Sequence, residues 1–327
     1  MKAIIYTKYG SPEVLSLVEI PKPIPKVDEV LIKVHAASTN PADWHIMRAK
    51  PFLARIMNGL FKPKNPRLGA DVAGRIEAVG TGVTQFHVGE DVFGCVTLNA
   101  FGTFAEYVCV AEGLLELKPE NTTFEQAAAV PLAALTALQG LRDKGHIKSG
   151  QKILINGASG GVGTFAVQIA KSFGTEVTGV CSTGNATMVK SIGADHIIDY
   201  AVDDFTRTGE KYDLIFDAVG NRKVSDYSRS LSANGICAVA GFTSISRLLQ
   251  IALLGMWVTK VGTKEIGMMA TMKPNKQDLI LIRDLLATGK IEPVIDRSYP
   301  LEQVPKAISY LETGRAKGKV VILISHE

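Results

Sequence analysis

Residues 152–171 read KILINGASGGVGTFAVQIAK. The apolar run Ile153 to Ile155 predicts a buried strand; Gly157, Gly160 and Gly163 follow at a turn, and an Ala- and Val-rich helix begins behind them. Each glycine has a task at such a junction. One makes the tight turn, one lets backbone approach a pyrophosphate, and one lets helix and strand pack closely, while the helix N-terminus presents unpaired N–H groups and a positive dipole end. Gly161 and Val162 contribute first-turn N–H groups there and Ser159 a hydroxyl. A glycine-rich string alone also fits a flexible loop; the strand before it and the helix after it mark a dinucleotide-binding turn.

Downstream, strand-like and helix-like segments alternate: EVTGVCS, ATMVKSIGA, HIIDY, YDLIFDAVG, VSDYSRSLSANG and ICAVAGF. Such alternation predicts parallel pairing in a doubly wound α/β sheet. In NAD-selective sheets of this kind an acidic residue about 20 positions past the turn, at the end of the second strand, binds the ribose hydroxyls. Here the stretch is Val180, Cys181, Ser182, Thr183, Gly184, Asn185, without a carboxylate. That leaves room for a 2′-phosphate with Ser182 and Thr183 as donors and Lys190 and Tyr200 as neighbours, so NADPH is expected over NADH. Ordinary loop capping is the competing role for the two hydroxyls. Val219 with Gly220, and Gly241 with Phe242, end two further strands, where ligands of open sheets gather.

Upstream the texture is different. KAIIY, EVLIKVHAAS, VAGRIEAVG, EDVFGCV and AEYVCV are short apolar runs bounded by Gly and Pro, which predicts a compact, mostly β unit. From Thr123 the stretch FEQAAAVPLAALTALQGLRDK reads as helix, capped by Thr122 or Thr123 before Glu125. Near the end, NKQDLILIRDLLATGKI and VPKAISYLETG read as amphipathic helices and KVVILI as a last strand. The expected organisation is a first domain over residues 1–122, completed by 264–327, around a nucleotide-binding domain at 123–263.

Bulk properties narrow the function classes. A chain of 327 residues exceeds what one core usually supports, and 46% hydrophobic with 21% charged residues is ordinary for a globular protein. The net charge of +4 arises from 36 basic and 32 acidic residues scattered along the chain, so no nucleic-acid-binding tail is expected. Cys95, Cys109, Cys181 and Cys237 form no C-x-x-C pair, which argues against a zinc knuckle or disulfide framework. The opening MKAIIYTKYG carries no charged leader or apolar core of a signal peptide, so a cytoplasmic location is expected. The apolar stretch Ile245 to Val261 is interrupted by Arg247, Gln250 and Lys260 and falls short of a membrane span of about 18 residues. It is expected to be buried or to face a second subunit in a homodimer.

The turn NGASGGVGTFAVQIAK, the earlier NPADWHIMRA, the LGADVAGRIEAVG and VGEDVFG runs, and the closing VIDRSYPLEQVPKAISYLETGRAKGKVVI resemble the medium-chain dehydrogenase/reductase superfamily in its zinc-independent quinone oxidoreductase branch. The resemblance covers essentially the whole chain. It implies a GroES-like β domain plus a Rossmann doubly wound parallel-sheet domain, with the active site in a cleft between them. Zinc-dependent members bind their catalytic metal through positions that match Asn40, Ala70 with Asp71, and Leu132. Alanine and leucine cannot ligate a metal, and the four-cysteine structural lobe is missing, so no metal is expected.

Without a metal, a natural substrate is a quinone or an α,β-unsaturated carbonyl compound, in which charge spreads onto oxygen as hydride adds. By resemblance Asn40 faces the nicotinamide end and donates to cofactor or substrate; its competing role is capping the turn before Pro41. Asp43 belongs to the same motif as an orienting or merely structural carboxylate. His45 and Arg48 are candidates for a substrate oxygen or for loop solvation. Thr136 matches a position near the nicotinamide, and Lys319 is expected to reach the cofactor. PFLARIMNGLFKPKNPR is expected to form a loop or short helix whose Phe52, Leu53, Ile56, Met57 and Phe61 wall the substrate entrance. Two rival functions stay open: an alcohol or ketone oxidoreductase of the same superfamily, and a nucleotide-binding regulator with little turnover.

Overall fold

A computed structural model describes residues 1–50, 54–96 and 100–326. It divides into two compact units, one of Met1–Leu135, Lys273–Gly289 and Ile295–Glu327, the other of Thr136–Met272 and Lys290–Val294.

The first unit is built on a seven-stranded sheet in which Ile295–Pro300, Lys319–Leu323, Glu29–Ser38, Asp71–Val79, Asp91–Cys95 and Leu115–Leu117 follow one another. Tyr107–Ala111 pairs antiparallel with the first part of Glu29–Ser38. That central strand is buried along most of its length, as its run of Val, Leu, Ile and Ala anticipates. Register then fixes the site: Ser38 stands opposite both Val321 and Asp71, and Asp71 opposite Cys95. A row of positions therefore crosses the sheet two residues from the start of the strand that carries Lys319.

The segment after Thr123 breaks where its proline predicts a helix start. Phe124–Ala128 forms one helix and Pro131–Gln139 another. Thr123 caps the first, its Oγ1 accepting from Gln126 N–H at 3.2 Å while Gln126 Oε1 accepts from Thr123 N–H at 3.0 Å. Gln126 thus fills the box, and Glu125 accepts from the Ser298 hydroxyl instead. The first helix packs on the seven-stranded sheet, so the chain through Leu135 counts with the first unit rather than with the parallel sheet.

The second unit holds a six-stranded parallel sheet in the order His196–Asp199, Glu176–Cys181, Lys152–Asn156, Tyr212–Asp217, Leu231–Val239, Glu265–Met268. The chain steps outward from Lys152–Asn156 in one direction and from Tyr212–Asp217 in the other. Between those two central strands lies the switch point, outside whose carboxyl ends ligands bind in open α/β sheets. Leu154, Ile215, Tyr227, Cys237 and Phe205 share one buried cluster beneath it. Glu265–Met268 extends the sheet by one strand past the boundary expected at residue 263.

Ile245–Gln250 and Met256–Val261 are short helices joined by the π-helical Ile251–Gly255. Ile251 is buried, but Leu253 and Trp257 are 64% and 63% exposed, so of the two alternatives, burial within the chain does not account for the whole stretch. Among the described residues no helix is long and apolar enough to cross a membrane.

Candidate functional site

The glycine turn folds as its residues require. Gly157 has φ +81°, a backbone that side chains resist, and its N–H and that of Ala158 both donate to Val180 O. At Gly163 a Cβ would stand 2.0 Å from Gly157 O, so helix and turn meet only because that position is bare. Helix Gly161–Ser172 starts from Gly160, which brings no side-chain cap, and the N–H groups of Gly161, Val162 and Gly163 have no intrahelical acceptor. Ser159 Oγ accepts from Asn185 Nδ2 at 3.0 Å, tying the turn to the loop after the second strand. The bare, uncapped N-terminus of this twelve-residue helix fits a dinucleotide pyrophosphate.

Beside it the structure shows a residue that spacing missed. Asp217, fully buried at the end of its strand, accepts from Asn156 Nδ2 at 3.0 Å, Tyr227 Oη at 2.7 Å, Val219 N–H at 2.7 Å and Gly220 N–H at 2.8 Å. Its own carbonyl accepts from Ala240 N–H, and Thr243 Oγ1 donates to Gly220 O. Val219, Gly220, Gly241 and Phe242 are thereby brought to one place. A buried carboxylate among four donors is intelligible only once both strands are aligned, although the string FDAVG held the clue.

At the ribose end the structure amends the expectation. Parallel register sets Asp199 opposite Cys181, and Thr183 Oγ1 donates to Asp199 Oδ2. Ala201 N–H donates to Asp199 Oδ1 at 2.9 Å, and Tyr200 N–H to Cys181 O at 3.1 Å. The Thr183 hydroxyl, helped by the Ala201 N–H, holds the Asp199 carboxyl below its ordinary value. A carboxylate therefore does stand beside Ser182 and Thr183, delivered by the neighbouring strand. Tyr200 lies at this end as expected. Lys190 does not: it sits in the last turn of Ala186–Ser191 and lines a hollow with Asp195, His196 and Ile197, at the opposite end of strand His196–Asp199. Thr136 is half-buried in helix Pro131–Gln139.

In the first unit Asn40, Asp71 and Lys319 form one buried block. Lys319 Nζ donates to Asn40 Oδ1 at 2.6 Å, to Thr39 O at 3.3 Å and to Asp71 Oδ2 at 3.3 Å. Asp71 also accepts from Ser38 Oγ at 2.6 Å, Asn40 Nδ2 at 2.8 Å and Leu132 N–H at 2.8 Å. Asn40 Nδ2 further donates to Ser38 O. At 2% exposure, with both ends of its amide engaged, Asn40 is a clamp on Asp71 and Lys319 rather than a donor held ready for substrate. Lys319 likewise spends its ammonium inside the unit.

Asp43, four residues before Met47 in the same short helix, is fully buried and accepts from Asn40 N–H at 2.7 Å and Gly69 N–H at 2.9 Å. Burial outweighs those two bonds and raises its carboxyl from 3.8 to about 7. The folded state therefore takes up a proton here that the unfolded chain releases near its ordinary pKa of about 4. Stability from this group is present at the acid end, falls as pH rises toward about 7 and levels off above it. Urea unfolding between these pH values should show a downward slope of at most about 1.4 kcal/mol per pH unit relative to Asp43→Asn. Parallel pH profiles for the two proteins would remove the assignment.

Arg48 is committed to both carboxylate oxygens of Glu312, with Nη2 at 2.8 Å from Oε2. This bidentate pair ties helix Pro41–Arg48 to Val304–Glu312 and corrects the expectation of a free substrate-binding guanidinium. His45 stacks on Trp44 and donates through Nδ1 to Lys50 O at 2.8 Å; burial lowers its pKa, so the ring is neutral at pH 7. Ala54–Asn58 is the expected short helix, with Ile56 and Phe61 largely exposed; Phe52 and Leu53 lie outside the described residues.

Residues 26–120 match the alcohol dehydrogenase GroES-like domain and residues 192–322 the zinc-binding dehydrogenase family. A 2-methylene-furan-3-one reductase of Solanum lycopersicum is 38% identical over 98% of this chain and 79% of its own. The NADPH-dependent alkenal/one oxidoreductase of Arabidopsis thaliana chloroplasts is 36% identical over 98% of this chain and 79% of its own. Among solved structures, the quinone oxidoreductase from Coxiella burnetii superposes with a TM-score of 0.86 at 31% identity, over 99% of both chains.

Proposed function

Because the chain belongs to the medium-chain dehydrogenase/reductase superfamily, in its quinone oxidoreductase-like branch, we propose that this NAD(P)H oxidoreductase is zinc-independent and transfers hydride from NADPH to a quinone or α,β-unsaturated carbonyl compound. The observation that carries the reading is the buried ammonium of Lys319 on Asn40 and Asp71. Zinc-dependent relatives hold their metal through the positions matched by Asn40, Ala70 with Asp71, and Leu132. Here an ammonium bonds the amide and the carboxylate, Ala70 has no ligating atom, and Leu132 offers only a backbone N–H. A second cation has no donor set to enter, so the residues do not fit zinc.

The fit to a dinucleotide is positive: the uncapped N-terminus at Gly160–Gly163, Ser159 and the backbone fixed by Asp217 would hold it, with Ser182 and Thr183 toward the adenosine ribose. When bound, NADPH supplies the hydride. The chain supplies position, and among the described residues no His, Cys, Asp and Glu cluster could hold a metal ion to polarise an isolated ketone. Conjugated acceptors need less polarisation, because their charge spreads as it develops. The names of relatives that act on an enone and on alkenals or alkenones agree with this class.

The same proposal makes the enzyme a cytoplasmic homodimer, its subunits meeting on the exposed apolar face of Leu249, Leu253 and Trp257. NADPH oxidation with a benzoquinone, an enone, an enal and a simple ketone tests the activity. Turnover with the first three, indifferent to a chelator and catalysed by a species that sediments as a dimer, is expected. Ketone reduction that a chelator abolishes, or NADPH binding with no turnover across the panel, would overturn it.

A further inference from the structure

We propose that Asp199 sets the cofactor preference of this enzyme, acting as a brake on selectivity for the 2′-phosphate; the inference rests on the dinucleotide reading of the glycine turn. In sheets of this type the discriminating acid stands at the end of the second strand, about 20 residues past the turn. Residues 180–185 contain none. The structure supplies one from the third strand, because the register that pairs His196–Asp199 with Glu176–Cys181 ends with Asp199 beside Cys181.

Three bonds fix it there. Thr183 Oγ1 donates to one carboxylate oxygen, Ala201 N–H donates to the other, and Tyr200 N–H closes onto Cys181 O. Among the described residues no lysine or arginine pairs with Asp199, so its charge is not neutralised. Lys190, the cation that spacing suggested, lies at the far end of the strand. The consequences for a bound nucleotide are two. A ribose 2′-hydroxyl can donate to the carboxylate, whereas a 2′-phosphate meets a like charge. The Thr183 hydroxyl, moreover, already points its proton at Asp199 and is withheld from a phosphate oxygen. Ser182 remains as the donor on the strand end itself. The pocket is therefore built to tolerate both cofactors, with the acid counteracting a preference that Ser182 and Thr183 alone would give.

Non-reactive fragments isolate the effect. Calorimetric titration of the intact protein with 2′,5′-ADP and with 5′-AMP gives the ratio of their dissociation constants, independent of turnover. In Asp199→Asn, which keeps an acceptor for Thr183 without the charge, the ratio should move toward 2′,5′-ADP by about tenfold at low salt, and less at high salt, as for exposed charges within a few ångströms. Asp199→Ala, which also frees the Thr183 hydroxyl, should move it at least as far; an unchanged melting temperature verifies the fold of each variant. If both fragments bind the variants in the wild-type ratio, Asp199 is not the determinant. Failure of wild-type protein to bind either fragment would instead bring down the dinucleotide reading, and this inference with it.

Discussion

Lys319→Met should destabilise the first unit by about 3–5 kcal/mol, the loss typical when one partner of a buried ion pair is removed. Methionine fills most of the space, so the effect isolates the charge. Asp71 would keep its bonds from Ser38, Asn40 and Leu132, but these are neutral donors, and a fully buried carboxylate would face the interior without its cation. Asn40 Oδ1 would lose its 2.6 Å donor as well. Adding Asp71→Asn to the same chain removes the stranded charge and should restore part of the loss, since neutral replacement of a buried pair costs little. Urea unfolding of the wild type, both single variants and the double variant completes the cycle. A Lys319→Met protein within about 1 kcal/mol of wild type would show that the ammonium is solvated and that the block is not a closed unit.

Asp217→Ala should cost about 2–4 kcal/mol and weaken dinucleotide binding by at least tenfold. The substitution strands Tyr227 Oη and the N–H groups of Val219 and Gly220, and leaves Asn156 Nδ2 with Asn221 Oδ1 alone. Unsatisfied buried donors cost roughly 1–3 kcal/mol each, and partial relaxation or water entry recovers some of that. The affinity loss is the more informative half. Val219–Gly220 follows a central strand at the switch point, and its backbone course is set by those two N–H bonds. Asp217→Asn keeps an acceptor for them and should bind dinucleotide more tightly than the alanine variant. If stability falls while affinity in the folded protein is unchanged, Asp217 supports the strand and has no hold over the ligand.

Much of the parallel-sheet unit was legible because its signals are local. A strand, three glycines and a helix lie within 20 residues, and each depends on its neighbours in sequence. What escaped was set by pairing. Asp199 reaches Thr183 through strand register, and Asp217 gathers donors from Asn156 and Tyr227 on different elements. An Ala- and Leu-rich helix carries no mark of the sheet it covers, so the first unit runs on to Leu135 instead of ending near residue 123. Asn40 stands out in its motif as a donor for cofactor or substrate, but whether an amide is free depends on what surrounds it. Its neighbours Asp71 and Lys319 come from 31 and 279 residues away.

The distance from Asn40 to Lys319 also bears on how the chain is made. Synthesis delivers residues 1–135 before the parallel-sheet unit, and only after both the strand Lys319–Leu323 that lies against Glu29–Ser38. Until that strand leaves the ribosome, Asp71 has no counter-ion and the edge of Glu29–Ser38 that Lys319–Leu323 covers has no partner. Of the two units, the one whose translation starts earlier is thus finished later, and it must wait, partly exposed, for a lysine 279 residues beyond Asn40.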